Sequence, residues 1–350
     1  MKKVFVNGYG AIGSRITQFI AGDSDIELIG VGKYSPDEKV NDAISRGFKI
    51  YVPGSKIDSF KSFKVAGTIE DALEKSDLVI DASPGGQGYV NKKIFYEPKK
   101  IRVIFQGGEK FDGEKAVADF IFNSRVNYTK AFDKVYVMQG SCNVTGMGRI
   151  LQPFKEKYGS RIKRFDATLL RRWADLEDSK TEVKDSIEWT RKPHHNEDVK
   201  SYMGKDTPLY TRVFKVPTRQ MHVHLMDIRF DGPAPKTSEV LDLFKNEYGI
   251  AILYGAKGTK DIRDFAESIK FSFKDTNMIH IHADILEIQD DTVKLTYSDD
   301  QTGIVVPENH LLMQAMLFKR NRDEAFKHTE GLFHMEEKKR LLEEHFRQTN

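Results

Sequence analysis

The run Lys3 to Asn7, followed by Gly8-Tyr9-Gly10-Ala11-Ile12-Gly13, constrains the fold of this chain more than any other feature. An apolar stretch that reads as a buried strand meets a G-x-G-x-x-G loop, and Ile12, Ile16, Phe19 and Ile20 then recur at the spacing of one helix face. Strand, glycine loop and helix in this order are the context in which the motif binds a dinucleotide. Each glycine has its own task. Gly8 permits the tight turn, Gly10 lets a pyrophosphate approach the backbone, and Gly13 lets the helix pack closely on the strand. The partial positive charge of the helix start then favours the anion.

The alternation continues. Ile26 to Val31 reads as a second strand, and Leu78 to Ala82 as another that ends in Pro84-Gly85-Gly86. Ile101 to Phe105 ends at Gly107 and Gly108, and Val135 to Met138 follows. Strands alternating with helices predict a parallel sheet, with ligands beyond its carboxyl ends. An NAD enzyme would normally carry Asp or Glu at the end of the second strand; this chain has Gly32-Lys33-Tyr34-Ser35 instead. Lys33 suits a 2′-phosphate, so NADP is expected, with NAD possible, against the plainer alternative of a solvated lysine.

From Arg161 the pattern changes to longer strands: Phe165 to Arg172, Val213 to Val216, Met221 to Phe230, Ile279 to Ile288 and Val293 to Tyr297. The predicted fold is α/β, an N-terminal Rossmann dinucleotide-binding domain plus an α+β catalytic domain with a mixed or antiparallel sheet. The domain expectations are residues 1–141, 142–307 and a helical segment at 308–350, within a chain of 350 residues that is long enough for two domains. The 55 basic and 52 acidic side chains are interspersed, so the formal charge of +3 gives no nucleic-acid footprint. No apolar run approaches the roughly 18 residues of a membrane span, and the start does not read as a signal peptide. The single cysteine excludes an internal disulfide framework and any cysteine-rich metal site, and a cytoplasmic location is expected.

That cysteine is the second landmark. Gly140-Ser141-Cys142-Asn143 precedes Met147, Ile150, Leu151 and Phe154 at helical offsets, so Cys142 sits near a helix start. A lone cysteine is by default a small buried hydrophobe. A helix N-terminus, however, favours the thiolate, and a nucleophile needs a nearby base. His222 and His224 are two apart on one strand and therefore share a face, and either could reach it. They could equally be satisfied core histidines or half of a metal site, as could His280-x-His282-x-Asp284 and His194-His195. No metal is expected, because three or four ligands must converge. Arg171 and Arg172 end a strand and point to opposite faces, so one of them is expected to reach a given ligand such as phosphate.

Taken together, the glycine loop, Gln106-Gly107-Gly108-Glu109-Lys110, Ser141-Cys142-Asn143-Val144-Thr145-Gly146, Leu169-Leu170-Arg171-Arg172, His194-His195, Val216-Pro217-Thr218 leading to Met221-His222-Val223-His224, and Val305-Val306-Pro307-Glu308-Asn309 carry a likeness over nearly the whole chain. They resemble archaeal-type (type II) phosphorylating glyceraldehyde-3-phosphate dehydrogenase. The resemblance implies a cytoplasmic homotetramer acting on glyceraldehyde 3-phosphate and inorganic phosphate, with no nucleic-acid or membrane partner, whose C-terminal helix returns to the nucleotide domain. It implies Cys142 as nucleophile, His222 as general base with His224 not excluded by spacing, and Ser141, Asn143, His194 and His195 as substrate residues. Gly108, Arg171 and Gln301, alongside Ala11 and Ile12, match cofactor positions, which leaves Arg172 for a phosphate. Val144 departs from the family's usual threonine, extra residues lie between Lys110 and Asn127, and the tail after His328 is longer than usual. A related phosphorylating aldehyde or semialdehyde dehydrogenase, and a non-catalytic NADP-binding protein of this fold, are the alternatives.

Overall fold

The computed structural model describes residues 1–106 and 108–348; Gly107, counted among the loop glycines, and the last two residues of the expected tail lie outside the described residues. The chain forms two compact units, Met1–Ser141 with Val306–Phe333, and Cys142–Val305 with the residues from His334 on.

In the first unit, β1 (Lys2–Asn7), β2 (Ile26–Gly32), β3 (Ile50–Val52), β4 (Gly67–Thr68), β5 (Leu78–Asp81), β6 (Arg102–Phe105), β7 (Ile121–Phe122) and β8 (Tyr136–Gln139) form one sheet. Its order is β4-β3-β2-β1-β5-β6-β8-β7, and every pairing is parallel. Val4, Phe5, Val6, Val79 and Ile80 are wholly buried, as strands covered on both faces require. The order reverses between β1 and β5, which makes the ends of those strands the crevice where such sheets bind ligands. The strands missed by sequence periodicity, β3, β4 and β7, have two or three residues each, too few to show a period.

The helix Val305–Phe318 and the helix Arg322–Phe333 return to this unit. Ser124 donates both its N–H and its hydroxyl to Glu308, and Gln106 and Asn309 exchange amide hydrogen bonds at 2.7 and 3.0 Å. Phe333 stacks on Phe19 with ring centres 4.1 Å apart. The buried Asp23 carboxylate meets His310 Nε2 at 2.9 Å and His328 Nε2 at 3.0 Å, so one acidic side chain near the end of the first helix ties down both returning helices. The expectation of a single returning segment over 308–350 does not describe the residues from His334 on. The helix Met335–Gln348 buries Leu342 and Phe346 within the second unit, and there Glu343 accepts the Ile252 N–H at 2.9 Å.

The second unit carries β9 (Ile162–Arg172), β10 (Glu188–Trp189), β11 (Leu209–Val216), β12 (His222–Phe230), β13 (Ile250–Leu253), β14 (Ile279–His282), β15 (Glu287–Gln289) and β16 (Thr292–Asp299). The order is β10-β11-β9-β12-β16-β14-β13, with β15 on β16. The sheet is mixed: β9 with β11 and β13 with β14 are parallel, the others antiparallel. The helix Cys142–Tyr158 buries Val144, Met147, Ile150, Leu151 and Phe154, the helical spacing already visible in the sequence. No helix among the described residues is long and apolar enough to cross a membrane.

Burial by itself raises the Asp23 pKa, but hydrogen bonds from His310, the Asp25 amide and His328 outweigh it and hold the carboxyl at about 2. Its folded pKa therefore lies below the unfolded value, and its contribution, about 2 kcal/mol, is present above pH 4 and lost as pH falls toward 2. Asp23→Asn is expected to lower the melting temperature at pH 7 and to flatten the acid limb of stability between pH 4 and 2. Thermal melts across that range check it, and an unchanged acid limb would contradict it.

Candidate functional site

The glycine loop has the shape its sequence predicts. Gly8 has φ +127°, and a Cβ there would lie 2.5 Å from the Ala82 carbonyl oxygen. A Cβ on Gly13 would come within 2.1 Å of the Gly8 oxygen, so the helix Ala11–Ile20 packs on the loop only because that atom is missing. Gly10 caps the helix without a side chain, and nothing lies within 4 Å of where its Cβ would be. Ala11 and Ile12 follow, partly exposed, with no acidic residue in the first turn. An open backbone cradle at a helix start with no side-chain cap and no acidic residue in its first turn fits a pyrophosphate.

Beneath the loop, Asn7 Nδ2 donates to the Tyr34 and Tyr96 hydroxyls at 2.9 and 2.6 Å, and Tyr96 donates to Asp81 at 2.6 Å. This buried network joins the ends of β1 and β5. Lys33 is 6% exposed and its Nζ lies 2.6 Å from Asp37, the N-cap of the next helix. A carboxylate absent from the end of β2 thus arrives five residues later. Gly108, with φ +112° and open space at its Cβ, is in the loop after β6, where Glu109 accepts the N–H groups of Gly86 and Gly88 at 2.7 and 3.0 Å.

In the second unit, strand register assembles a separate cluster. β12 pairs antiparallel with β16, placing His222 opposite Asp299 and His224 opposite Tyr297. On the other side β12 pairs with β9, placing His224 opposite Leu169, and Arg171 lies two residues along that face. The helix Cys142–Tyr158 begins over this face. Gly146 allows the approach: a Cβ there would already contact Asp299 Oδ2 at 3.4 Å and the Tyr297 ring at 3.8 Å. A sulfur, an imidazole nitrogen and a carboxylate oxygen from Cys142, His222 and Asp299 consequently lie within 4.8 Å of one another.

Hydrogen bonds orient the members. His224 Nε2 donates to Asn143 Oδ1 at 2.9 Å, so its Nδ1 accepts the Tyr297 hydroxyl at 2.6 Å. With its oxygen thus held, Asn143 turns its Nδ2 toward Cys142 Sγ at 3.7 Å. His222 Nδ1 accepts the Arg172 backbone N–H at 3.1 Å, while its Nε2 is buried without a partner among the described residues. Both Asp299 oxygens are buried and equally without a hydrogen-bond partner among those residues.

The resting state of the thiol differs from the helix-start expectation. Burial, followed by the Asp299 charge, pushes Cys142 up to about 12, against the opposing charges of Arg172 and Arg171. Arg172 is itself held by Asp175 at 2.9 Å from Nε. Burial also drives His222 well below the ordinary histidine range, with Arg172 and Arg171 adding, and brings His224 to about 3, so both rings are neutral. His224 Nε2 lies 3.4 Å from Asp299, but a neutral ring whose proton points at Asn143 makes no ion pair there.

The rings of His194 and His195 stack with centres 4.4 Å apart at the start of the helix His195–Met203. His194 meets Asp198 at 2.5 Å; His195 is buried, and its burial, followed by the neighbouring His194 and Arg171, takes it down to about 2. Gln301 donates to the Arg219 carbonyl at 3.2 Å and leaves its amide oxygen buried without a partner among the described residues. Ser141 Oγ is likewise unpartnered among them, at the end of the first unit. His280 and His282 do not join the cysteine cluster: His280 bonds Thr276 at 2.9 Å, and His282 bonds Ser298 at 3.1 Å. Asp299 was missed by sequence reasoning. Its signal was an acid completing the buried alternation Val293, Leu295, Tyr297.

No family model matches the chain. Curated proteins do. It is 34% identical over 317 residues to the glyceraldehyde-3-phosphate dehydrogenase of Saccharolobus solfataricus, covering 88% of this chain and 91% of the relative. It is 35% identical over 336 residues to that of Sulfolobus acidocaldarius, covering 93% and 95%. With the protein of the same name from Pyrococcus abyssi the identity is 34% over 337 residues, 93% and 97% of the two chains. Similarity of this depth along nearly the full length of both partners, joined to a parallel nucleotide-binding sheet and a mixed sheet bearing the cysteine, means that the chain belongs to the archaeal-type glyceraldehyde-3-phosphate dehydrogenase family.

Proposed function

We infer that this chain is a phosphorylating dehydrogenase that converts glyceraldehyde 3-phosphate and inorganic phosphate to 1,3-bisphosphoglycerate through a thioester on Cys142. The observation that carries the reading is the single cysteine at a helix start, facing the Asn143 amide, in a chain of this family. The Cys142 sulfur adds to the aldehyde carbon, giving a thiohemiacetal. The nicotinamide ring, when bound, supplies the hydride acceptor. Asn143 Nδ2 and the amides of the helix start donate to the charge that develops, and His222 Nε2 touches the reacting oxygen. Phosphate then attacks the thioester.

Two anions must be held, one on the substrate and one attacking; Arg172, His194, His195 and Ser141 are the residues proposed for them. Residues 1–141 are proposed as the NAD(P)-binding domain and 142–307 as the catalytic domain. Gly8, Gly10, Ala11, Ile12 and Gly13 would hold the pyrophosphate, with Gly108, Arg171 and Gln301 assigned to the cofactor by the family resemblance. Lys33 supports NADP over NAD, since its ammonium lies just past β2, although Asp37 competes for it. A cytoplasmic homotetramer is the proposed form. Support for assembly comes from the edge strand β10, where Trp189 is 70% exposed and Ile187, just before the strand, is 59% exposed, apolar side chains that a partner would cover.

Cys142→Ser is expected to abolish phosphate-dependent reduction of either nucleotide, measured by absorbance with and without inorganic phosphate. Substantial activity in that variant would remove the thioester route. Lys33→Ala should lower kcat/KM for NADP by about tenfold or more while leaving that for NAD nearly unchanged; equal losses would place Lys33 in a structural role. Light scattering should give a tetramer mass for the wild type and a smaller species for Trp189→Glu, and an unaltered mass would move the interface elsewhere.

A further inference from the structure

We propose that Asp23, His310 and His328 form a binding site for one divalent transition-metal ion, with zinc the best match to its donors, and that the ion clamps the returning helices onto the first unit. The proposal stands whether or not Cys142 forms a thioester.

All three residues lie in the first unit. Asp23 is three residues past the helix Ala11–Ile20, His310 is on the helix Val305–Phe318, and His328 is on the helix Arg322–Phe333. One ligand atom from each lies within 4.8 Å of the other two. The two imidazoles stack with centres 5.5 Å apart and planes 18° apart, and both turn Nε2 to the same carboxylate, at 2.9 Å from Oδ2 for His310 and 3.0 Å from Oδ1 for His328. Asp23 and His310 are buried, whereas the His328 side chain is 26% exposed and gives a way in from solvent. None of the three belongs to the histidine pairs visible in the sequence, and Asp23 and His310 are 287 residues apart.

The hydrogen bonds of His310 call for a cation. The Thr329 hydroxyl gives its one proton to the Ala325 carbonyl at 2.8 Å, so it accepts from His310 Nδ1, also at 2.8 Å. A neutral ring with its proton on Nδ1 has a bare lone pair on Nε2. Gln314 asks for the same state: its oxygen accepts Arg320, which leaves its Nε2 donor 3.2 Å from His310 Nε2. Yet the Asp23 carboxylate, another acceptor, faces that nitrogen at 2.9 Å. A positive centre between them reconciles these contacts. Without a metal, a second ring proton serves Asp23 but sets an N–H against the Gln314 amide. A metal ion takes the Nε2 and carboxylate lone pairs together and leaves Gln314 to donate to Asp23 Oδ2, 3.3 Å away.

The donor set selects the ion. Two imidazole nitrogens and a carboxylate suit zinc and its neighbours, while magnesium and calcium take oxygen ligands. Tetrahedral zinc holds its ligands about 3.3 Å apart, so the pairs at 2.9 and 3.0 Å need open by only a few tenths of an ångström. Thr329 fixes the outer nitrogen of His310, the support that orients metal-bound histidines. Asp25, 3.8 Å from His328 Nε2 and paired with Arg320, or solvent supplies the fourth ligand. Because the ion joins the end of the first helix to two helices from the far end of the chain, its binding stabilises the folded state.

The test uses the full-length Cys142→Ser chain, which removes the thiol from the other buried group of metal-binding side chains. Metal is stripped with a chelator, zinc chloride alone is titrated in, and bound zinc and melting temperature are read. One zinc per chain and a rise in melting temperature of about 2 °C or more are expected, with no rise from magnesium or calcium chloride at the same concentration. His328→Ala and His310→Asn should each weaken zinc binding by about a hundredfold or more and abolish the rise. His328→Asp, which restores a ligand, should recover part of the affinity. A Cys142→Ser chain that takes up no zinc overturns the proposal, as does zinc binding of undiminished strength in His328→Ala or an equal response to magnesium. If His310→Asn does not fold, His328→Ala decides, because its ring is partly exposed and its loss leaves Asp23 and His310 in contact.

Discussion

Everything at the cysteine site depends on the antiparallel register of β12 between β9 and β16. Side chains on a strand alternate, so a slip by one residue would turn His222 and His224 to the opposite face and part them from Asp299 and Tyr297. The register places two imidazoles, a phenol and a carboxyl on a single buried surface. The glycine at position 146 then lets the helix that begins with Cys142 settle on that surface. No one of these residues makes the site; the pairing of three strands under one helix start does.

The buried polar groups differ in how fully they are satisfied, and this difference carries the chemistry. Asp300 accepts hydrogen bonds from Arg263, Thr276 and the Asn277 N–H. Asp299, adjacent in the chain and the last residue of β16, has none among the described residues. An unsatisfied buried acid is costly, and a functional site is where such a cost is tolerated. The Cys142 thiol follows the same logic. Burial opposes its ionisation more strongly than the helix start favours it, so it needs a partner to take its proton when it reacts.

The first unit solves a different problem with backbone geometry. Gly8 and Gly13 permit a contact between loop and helix that any side chain would block, and the helix start is left free of caps. Holding that loop is a matter of the surrounding polar network: Asn7, Tyr34, Tyr96 and Asp81 link the strand ends on either side of the reversal in strand order. Asp23, through His310 and His328, anchors helices that return from almost three hundred residues away in the chain.

Much of this was legible in the residues alone. The strand, glycine loop and helix from Lys3 to Ile20, the placing of Cys142 at a helix start, and the shared face of His222 and His224 follow from local periodicity, which neighbours in the chain decide by themselves. The mixed second sheet followed from its longer strands. Other features were invisible. Asp37 holding Lys33, the division of the helical tail at His334, the tautomer of His222 and the isolation of Asp299 each depend on a partner brought near by folding. Sequence determined which chemical groups were present and which face of each element they occupied, because those depend on spacing along the backbone. Tertiary structure decided which groups were charged, satisfied or left vacant, because solvation and hydrogen-bond partners are set by contacts between distant segments.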